Sequence, residues 1–71
     1  MKINSITQAP FGTILSLSDT LPSNSVGNYL STDGEVLHKI KGTPSDLWSD
    51  VLIDKTTDVF VGQEVQVLKI V

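Results

Sequence analysis

The chain has 71 residues, enough for one small domain spanning 1–71, and a domain of this size buries only roughly 60% of the surface that its unfolded chain exposes. It contains no cysteine, which excludes disulfide bonds and thiolate metal sites. A net charge of −3, with five lysines and no arginine, argues against a nucleic-acid binder because phosphate recognition depends on dense positive charge.

The first part of the chain predicts two short strands followed by a loop. Residues 2–7 alternate only weakly, because Ile3 and Ile6 are out of phase for a strand, and Pro10 interrupts any continuation. Residues 13–18 alternate cleanly between apolar and polar positions, as a strand does. Residues 19–28 are rich in turn-forming residues, and we expect them to form the longest loop.

The centre of the chain, residues 28–42, predicts a β-hairpin. Asp33-Gly34 separates two apolar-bearing runs, and this dipeptide favours a two-residue type I′ turn. Such a turn places Leu30 opposite Leu37 and Tyr29 opposite His38.

The pleat of this hairpin divides its side chains between two faces. We expect a core face, which carries Tyr29, Val36, His38 and Ile40. The opposite face then holds a pair of leucines among charged residues, namely Leu30, Leu37, Glu35, Lys39 and Lys41. An apolar centre with a charged rim is the layout of a small protein interface. The alternative is that another element of the chain covers the two leucines.

The following segment, about 44–54, predicts one short helix. Thr43 is a favoured N-cap, Pro44 is favoured at the first helical position, and Leu47, Trp48, Val51 and Leu52 recur at helical spacing. A strand at 51–53 is the competing interpretation, because that run is continuous and partly β-branched.

The last segment predicts a strand that is tied into the sheet. Val65 and Val67 alternate with polar residues before the phase shifts to Leu68 and Ile70, which indicates a bulge or burial on both faces. Taken together, the pattern predicts a mainly β fold: a small antiparallel, barrel-like or strongly bent sheet with one short helix.

No catalytic constellation is visible in the sequence. His38 is the only histidine, and neither a cysteine nor a Gly-x-Ser-x-Gly motif accompanies it. Asp46, Asp50, Asp54 and Asp58 are spaced by four, which fits a wet helix face better than a loop folded around a cation. We therefore expect a protein that is not an enzyme and that needs neither a metal nor another cofactor.

The leading functional hypothesis is a protein-interaction module that binds a protein partner through Leu30, Leu37, Glu35, Lys39 and Lys41. We expect it to form homo-oligomers, because self-association is one means of stabilising so small a core. A phage or mobile-element product that blocks a host component would fit a plain chain of this length. The alternative is a small-molecule or metabolite binder that uses the 19–28 loop with Tyr29, His38 and Trp48.

We expect a soluble, cytoplasmic protein. No apolar run approaches the ~20 residues that a membrane span needs, and the first residues lack the basic-then-apolar layout of a signal peptide.

Overall fold

In the part of the chain that the structure describes, six antiparallel strands form two three-stranded sheets. The computed structural model describes residues 1–21, 25–32, 36–44 and 48–68. The strands are β1 (Ile3–Ala9), β2 (Gly12–Leu17), β3 (Tyr29–Thr32), β4 (Val36–Lys39), β5 (Asp50–Ile53) and β6 (Val65–Leu68). The first sheet has the order β1-β2-β5 and the second has the order β4-β3-β6. The predicted mainly β class is confirmed, and the described residues include no helix that is long and apolar enough to cross a membrane.

A β-bulge in β1 explains why Ile3 and Ile6 are out of phase in the sequence. Ile3 pairs with Leu17, whereas Ser5 pairs with Ser16, so that one extra residue lies in β1 between the two pairs. A bulge of this kind shifts the alternation of a strand by one. As a result Ile3 is buried and Ile6 still packs against the same core.

The β3–β4 hairpin exists, but the predicted register is wrong by one residue. Thr32 pairs with Val36, so three residues (33–35) separate the strands instead of two. The predicted turn at Asp33-Gly34 lies outside the described residues. Leu30 consequently lies opposite His38, and Leu37 lies opposite Ser31. A slip of one residue moves a side chain to the other face of a sheet, so Leu30 and Leu37 lie on opposite faces.

The predicted helix at about 44–54 is wrong, because its second half is strand β5. Asp50–Ile53 pairs with β2, from Ser16 opposite Asp50 to Thr13 opposite Ile53. Val51 and Ile53 are fully buried and Leu52 is half-buried between them, which is the period-two pattern of the competing interpretation. The helix-start positions 45–47 lie outside the described residues.

Two turns share one construction. The N–H of Asn28 donates to the Ser25 carbonyl at 3.0 Å, and the N–H of Gln63 donates to the Phe60 carbonyl at 3.2 Å. In each turn the third residue is a glycine with positive φ, 91° at Gly27 and 89° at Gly62. This is the type II pattern, which requires left-handed backbone at the third position.

The two sheets meet along two seams of backbone hydrogen bonds. On one side Leu52 forms an isolated bridge with Gly42. On the other side Lys2 bridges Glu64, and the N–H of Ile3 donates to the Gln63 carbonyl at 3.0 Å. Within the described ranges these seams are not continuous ladders, and a closed barrel is not found.

One core lies between the sheets. It draws on every strand except β4, and also on the segments between strands. Its buried members are Ile3, Leu15, Leu17, Leu21, Leu30, Ile40, Val51, Ile53, Val59 and Val65. Since β3 is the central strand of its sheet, one of its faces supports this core and the other faces outward.

Candidate interaction face

The outward side of sheet β4-β3-β6 is the candidate site, and we call it the outer face. On β3, Leu30 and Thr32 are buried in the core direction, so Tyr29 and Ser31 lie on the other side. Their cross-strand partners share that side. The outer face therefore contains two rows of three residues, Lys39–Tyr29–Leu68 and Leu37–Ser31–Gln66.

Two exposed leucines lie on the outer face. Leu37 of β4 is 46% exposed and Leu68 of β6 is 38% exposed. They flank β3 on its two sides in adjacent rows, and half-buried Tyr29 lies directly beside Leu68. Residues on one face in adjacent rows lie within reach of long side chains; we call these three, which run diagonally across β3, the apolar strip.

The centre of the outer face is a buried hydroxyl. Ser31 is only 3% exposed although it lies on the outward side, between Leu37 and Gln66 of the neighbouring strands. Its Oγ is buried and makes no hydrogen bond in the described part of the protein. An unpaired buried hydroxyl costs free energy.

The structure separates the residues that the sequence assigned to the protein-binding patch. Leu37 and Lys39 lie on the outer face, whereas Leu30 is fully buried in the core. Lys41 lies beyond β4, where its N–H donates to the Leu52 carbonyl and its ammonium pairs with Asp54 at 3.2 Å. Glu35 lies outside the described residues. The predicted Leu30/Leu37 pair is therefore wrong, and partner binding itself stays a prediction.

The residues of the alternative ligand site are not brought together as predicted. Tyr29 lies opposite Lys39 and not opposite His38. His38 lies beside Leu30 on the other face, half-buried, and its Nε2 is buried without a hydrogen bond in the described residues. Trp48 precedes β5 and is 48% exposed, and its carbonyl accepts from the Leu21 N–H at 2.8 Å. Tyr29 and His38 thus do not share a wall, and ligand binding stays an untested hypothesis.

The 19–28 segment is anchored more firmly than its composition indicates. Leu21 is 6% exposed and belongs to the core, and Ser25 is fully buried. The Gly27 N–H donates to the Ile40 carbonyl and the Ile40 N–H donates to the Asn28 carbonyl, which extends the β3–β4 pairing. Residues 22–24 lie outside the described ranges.

The acidic residues do not form the predicted helical row. Asp50 lies in β5, and Asp54 and Asp58 follow it in an exposed loop. Among the described residues there is no group of three or more histidine or acidic side chains that could hold a metal ion.

Most other large exposed apolar side chains lie in turns; the exception on β4 is Val36, predicted for the core face but 43% exposed, which lies opposite Thr32 and so not on the outer face. Phe11 is 60% exposed in the β1–β2 turn, and Phe60 and Val61 are 61% and 62% exposed in the type II turn near Ile3. These two turns lie at opposite ends of β1, roughly 20 Å apart at the rise of a strand, so they do not form one surface. The outer face differs because strand pairing fixes its leucines relative to each other.

Sequence reasoning missed four members of the outer face: Tyr29, Ser31, Gln66 and Leu68. The phase shift at Leu68 predicted a bulge or burial on both faces, whereas Leu68 is 38% exposed. Its neighbours, however, follow from the pairing of β6 with β3, which the sequence pattern does not specify.

No protein-family model matches the chain, and no similar curated protein or solved structure was found.

Proposed function

We propose that the protein is a non-enzymatic interaction module that self-associates. It binds a protein partner through the outer face. The observation that carries the proposal is the pair of exposed leucines, Leu37 and Leu68, held on either side of β3 by strand pairing. Contiguous apolar side chains with a polar rim are typical of protein-binding surfaces.

The rim of the outer face indicates the chemistry of the partner. Lys39 and Gln66 are exposed beside the apolar strip. A partner surface with an apolar centre and a carboxylate opposite Lys39 complements this arrangement, since rim charges guide encounter and register.

The size of the apolar strip sets the expected strength of binding. Burying an exposed leucine side chain is worth about 1.5–3 kcal/mol in full, and the two leucines are already more than half buried. The outer face alone therefore supports a transient complex, and a module of this kind acts by covering a surface of its partner. Blocking a host component is one such action.

Site-specific photocrosslinking tests the proposal. A benzophenone amino acid placed at position 37 is compared with one at position 26, because Leu37 and Val26 have nearly equal exposure, 46% and 48%, and Val26 lies in the turn before β3 and not on a strand of the outer face. Any protein captured at position 37 alone is purified and titrated against the chain.

We expect Leu37→Glu and Leu68→Glu each to weaken that purified complex by at least about tenfold, while Val26→Glu leaves it unchanged. Equal capture at positions 26 and 37, or unchanged affinity of both leucine variants, contradicts the assignment of the outer face.

A further inference from the structure

The outer edge of β1 is the most open strand edge that the structure describes. β1 pairs with β2 on one side. On its other side the backbone hydrogen bonds involve its start, where the Ile3 N–H donates to Gln63 and the Gly62 N–H donates to the Ile3 carbonyl. No described strand lies beside β1 beyond that point. The free stretch therefore runs from Ser5 to Ala9.

The main-chain groups on this edge can be assigned from the neighbouring strand. The Leu17 N–H donates to the carbonyl of Ser49, which precedes β5. Because the direction of the main-chain groups alternates along a strand, the N–H and C=O groups of Leu17, Leu15 and Thr13 point towards β5, and those of Ser16, Ile14 and Gly12 point towards β1. Thr7 and Ala9 pair with Ile14 and Gly12, so their own main-chain groups point towards β2. The N–H and C=O groups of Ile6 and Gln8 accordingly point outward from β1.

This edge lacks the features that usually protect an edge strand. Natural sheets discourage edge pairing with charges, proline or very short edge strands. β1 is seven residues long and carries no charged residue and no proline, whereas the edge strand β4 has four residues and ends in Lys39. The bulge after Ile3 and the turn at Pro10 limit the open stretch without blocking it.

We propose that the outer edge of β1 pairs antiparallel with β1 of a second copy of the chain, around a two-fold axis at Thr7. In this register Ile6 lies opposite Gln8 of the second copy, and two such pairs exchange four main-chain hydrogen bonds. The two sheets β1-β2-β5 then join into one six-stranded sheet. The inference rests on the self-association in the proposed function and names the surface that produces it.

The two-fold axis follows from the positions of the outward groups and of the 60–63 turn. The outward main-chain N–H and C=O groups belong to Ile6 and Gln8. An axis at Thr7 places Ile6 opposite Gln8 of the second copy, so each of these groups gains a hydrogen-bond partner. An axis at Ile6 would bring Gln8 of the second copy against the bulge at position 4, beside the turn that already occupies Ile3. Because the strand is uncharged, two copies meet without like charges facing each other.

The proposed contact is small, so we expect a weak dimer that requires a wide concentration series. Sedimentation equilibrium compares the wild type with Thr7→Lys and with the matched control Thr20→Lys. Both threonines are exposed, but Thr7 lies on the proposed axis, where two lysines would face each other. Thr7→Lys should weaken dimerisation by at least about tenfold, and Thr20→Lys should match the wild type.

Single cysteines test the register, since the chain has none of its own. At the axis the two Thr7 residues form a non-hydrogen-bonded pair with Cα atoms about 4.5 Å apart, which a disulfide can span. The two Ser5 residues lie about 13 Å apart in the same register. Mild oxidation should therefore link Thr7→Cys chains into dimers and leave Ser5→Cys chains unlinked, with circular dichroism confirming that both variants fold.

Each outcome is decisive. Wild-type protein that stays monomeric at every concentration overturns both the edge pairing and the self-association. A dimer that Thr7→Lys leaves intact, or equal crosslinking from positions 5 and 7, overturns the edge pairing alone. Capture of a partner at position 37 depends on neither result, so failure of the outer face is recognised separately.

Discussion

The backbone N–H of Thr56 donates to the side-chain oxygen of Thr13 at 3.0 Å. The Thr13 hydroxyl in turn donates to Gln8 Oε1 at 2.8 Å, and Gln8 Nε2 donates to the Thr56 carbonyl at 2.9 Å. This closed set of hydrogen bonds attaches the loop after β5 to the turn end of the β1–β2 hairpin, beside the Ala9–Gly12 pair. Thr13 is fully buried, so its hydroxyl is not exchanged for water without cost.

Thr13→Val should destabilise the protein by about 1–3 kcal/mol, because it keeps the shape of the side chain and leaves the Thr56 N–H without its acceptor. Thr13→Ser is the matched control, since it retains the hydroxyl and loses one methyl group, worth about 0.8 kcal/mol. Urea unfolding followed by Trp48 fluorescence measures both. A valine variant at least as stable as the serine variant would mean that the hydrogen bonds do not hold the loop.

Gly12→Ala should destabilise the protein by about 1–3 kcal/mol through overpacking. A Cβ at Gly12 would lie 2.5 Å from the Ile53 carbonyl oxygen, and backbone of β5 cannot move aside as a flexible side chain can. Gly42→Ala is the control, because nothing lies within 4 Å of a Cβ there and its φ is not positive; it should change stability by less than about 1 kcal/mol. Thermal melting compares the two, and equal melting temperatures would contradict the close approach of β2 and β5.

The sequence located the central hairpin but not its register. The Asp33-Gly34 pair marks a turn because of its local backbone preference, and that preference does not decide whether two or three residues separate the paired strands. Thr32 pairs with Val36, and the resulting shift of one residue sends Leu30 to the core and leaves Leu37 outside. The candidate site therefore kept Leu37 and Lys39 and lost Leu30.

The helix prediction failed because its evidence was local and the competing interaction was not. Thr43 and Pro44 are good helix-start residues, but pairing with β2 satisfies the backbone of Asp50–Ile53 and buries Val51 and Ile53 completely. Tertiary contacts of this kind override a weak local propensity. The same limit hid Leu68 from the outer face, since its neighbours come from a strand far away in the sequence.

The corrected register predicts a large difference between two leucine truncations in one hairpin. Leu30→Ala should cost about 2–5 kcal/mol, because Leu30 is fully buried and its truncation leaves a cavity. Leu37→Ala should stay within about 0.5 kcal/mol of the wild type, because Leu37 is 46% exposed. Denaturant unfolding of both variants at a protein concentration below any self-association is the measurement. Equal losses of stability would contradict the register of the structure and support the predicted one, in which Leu30 and Leu37 share a face.

Glu64 should make the stability of the chain fall more steeply in acid. The N-terminal ammonium of Met1 donates to Glu64 Oε1 at 2.8 Å, and this hydrogen bond lowers the pKa of the Glu64 carboxyl below its ordinary value, with smaller charge contributions from the same ammonium and from Lys2. Because the pKa is lower in the folded state, the stabilisation is fully present above the unfolded pKa, about 4.3, and is lost as the pH falls through the folded pKa.

Glu64→Gln should therefore lose less stability than the wild type between pH 6 and about pH 3, while the two differ most near neutral pH. Asp19→Asn, which removes an exposed acid from a loop, is the control and should follow the wild-type profile. Urea midpoints measured at each pH in low salt provide the comparison, since salt screens an exposed pair. Parallel pH profiles for the wild type and Glu64→Gln would show that the Met1–Glu64 contact does not contribute to stability in solution.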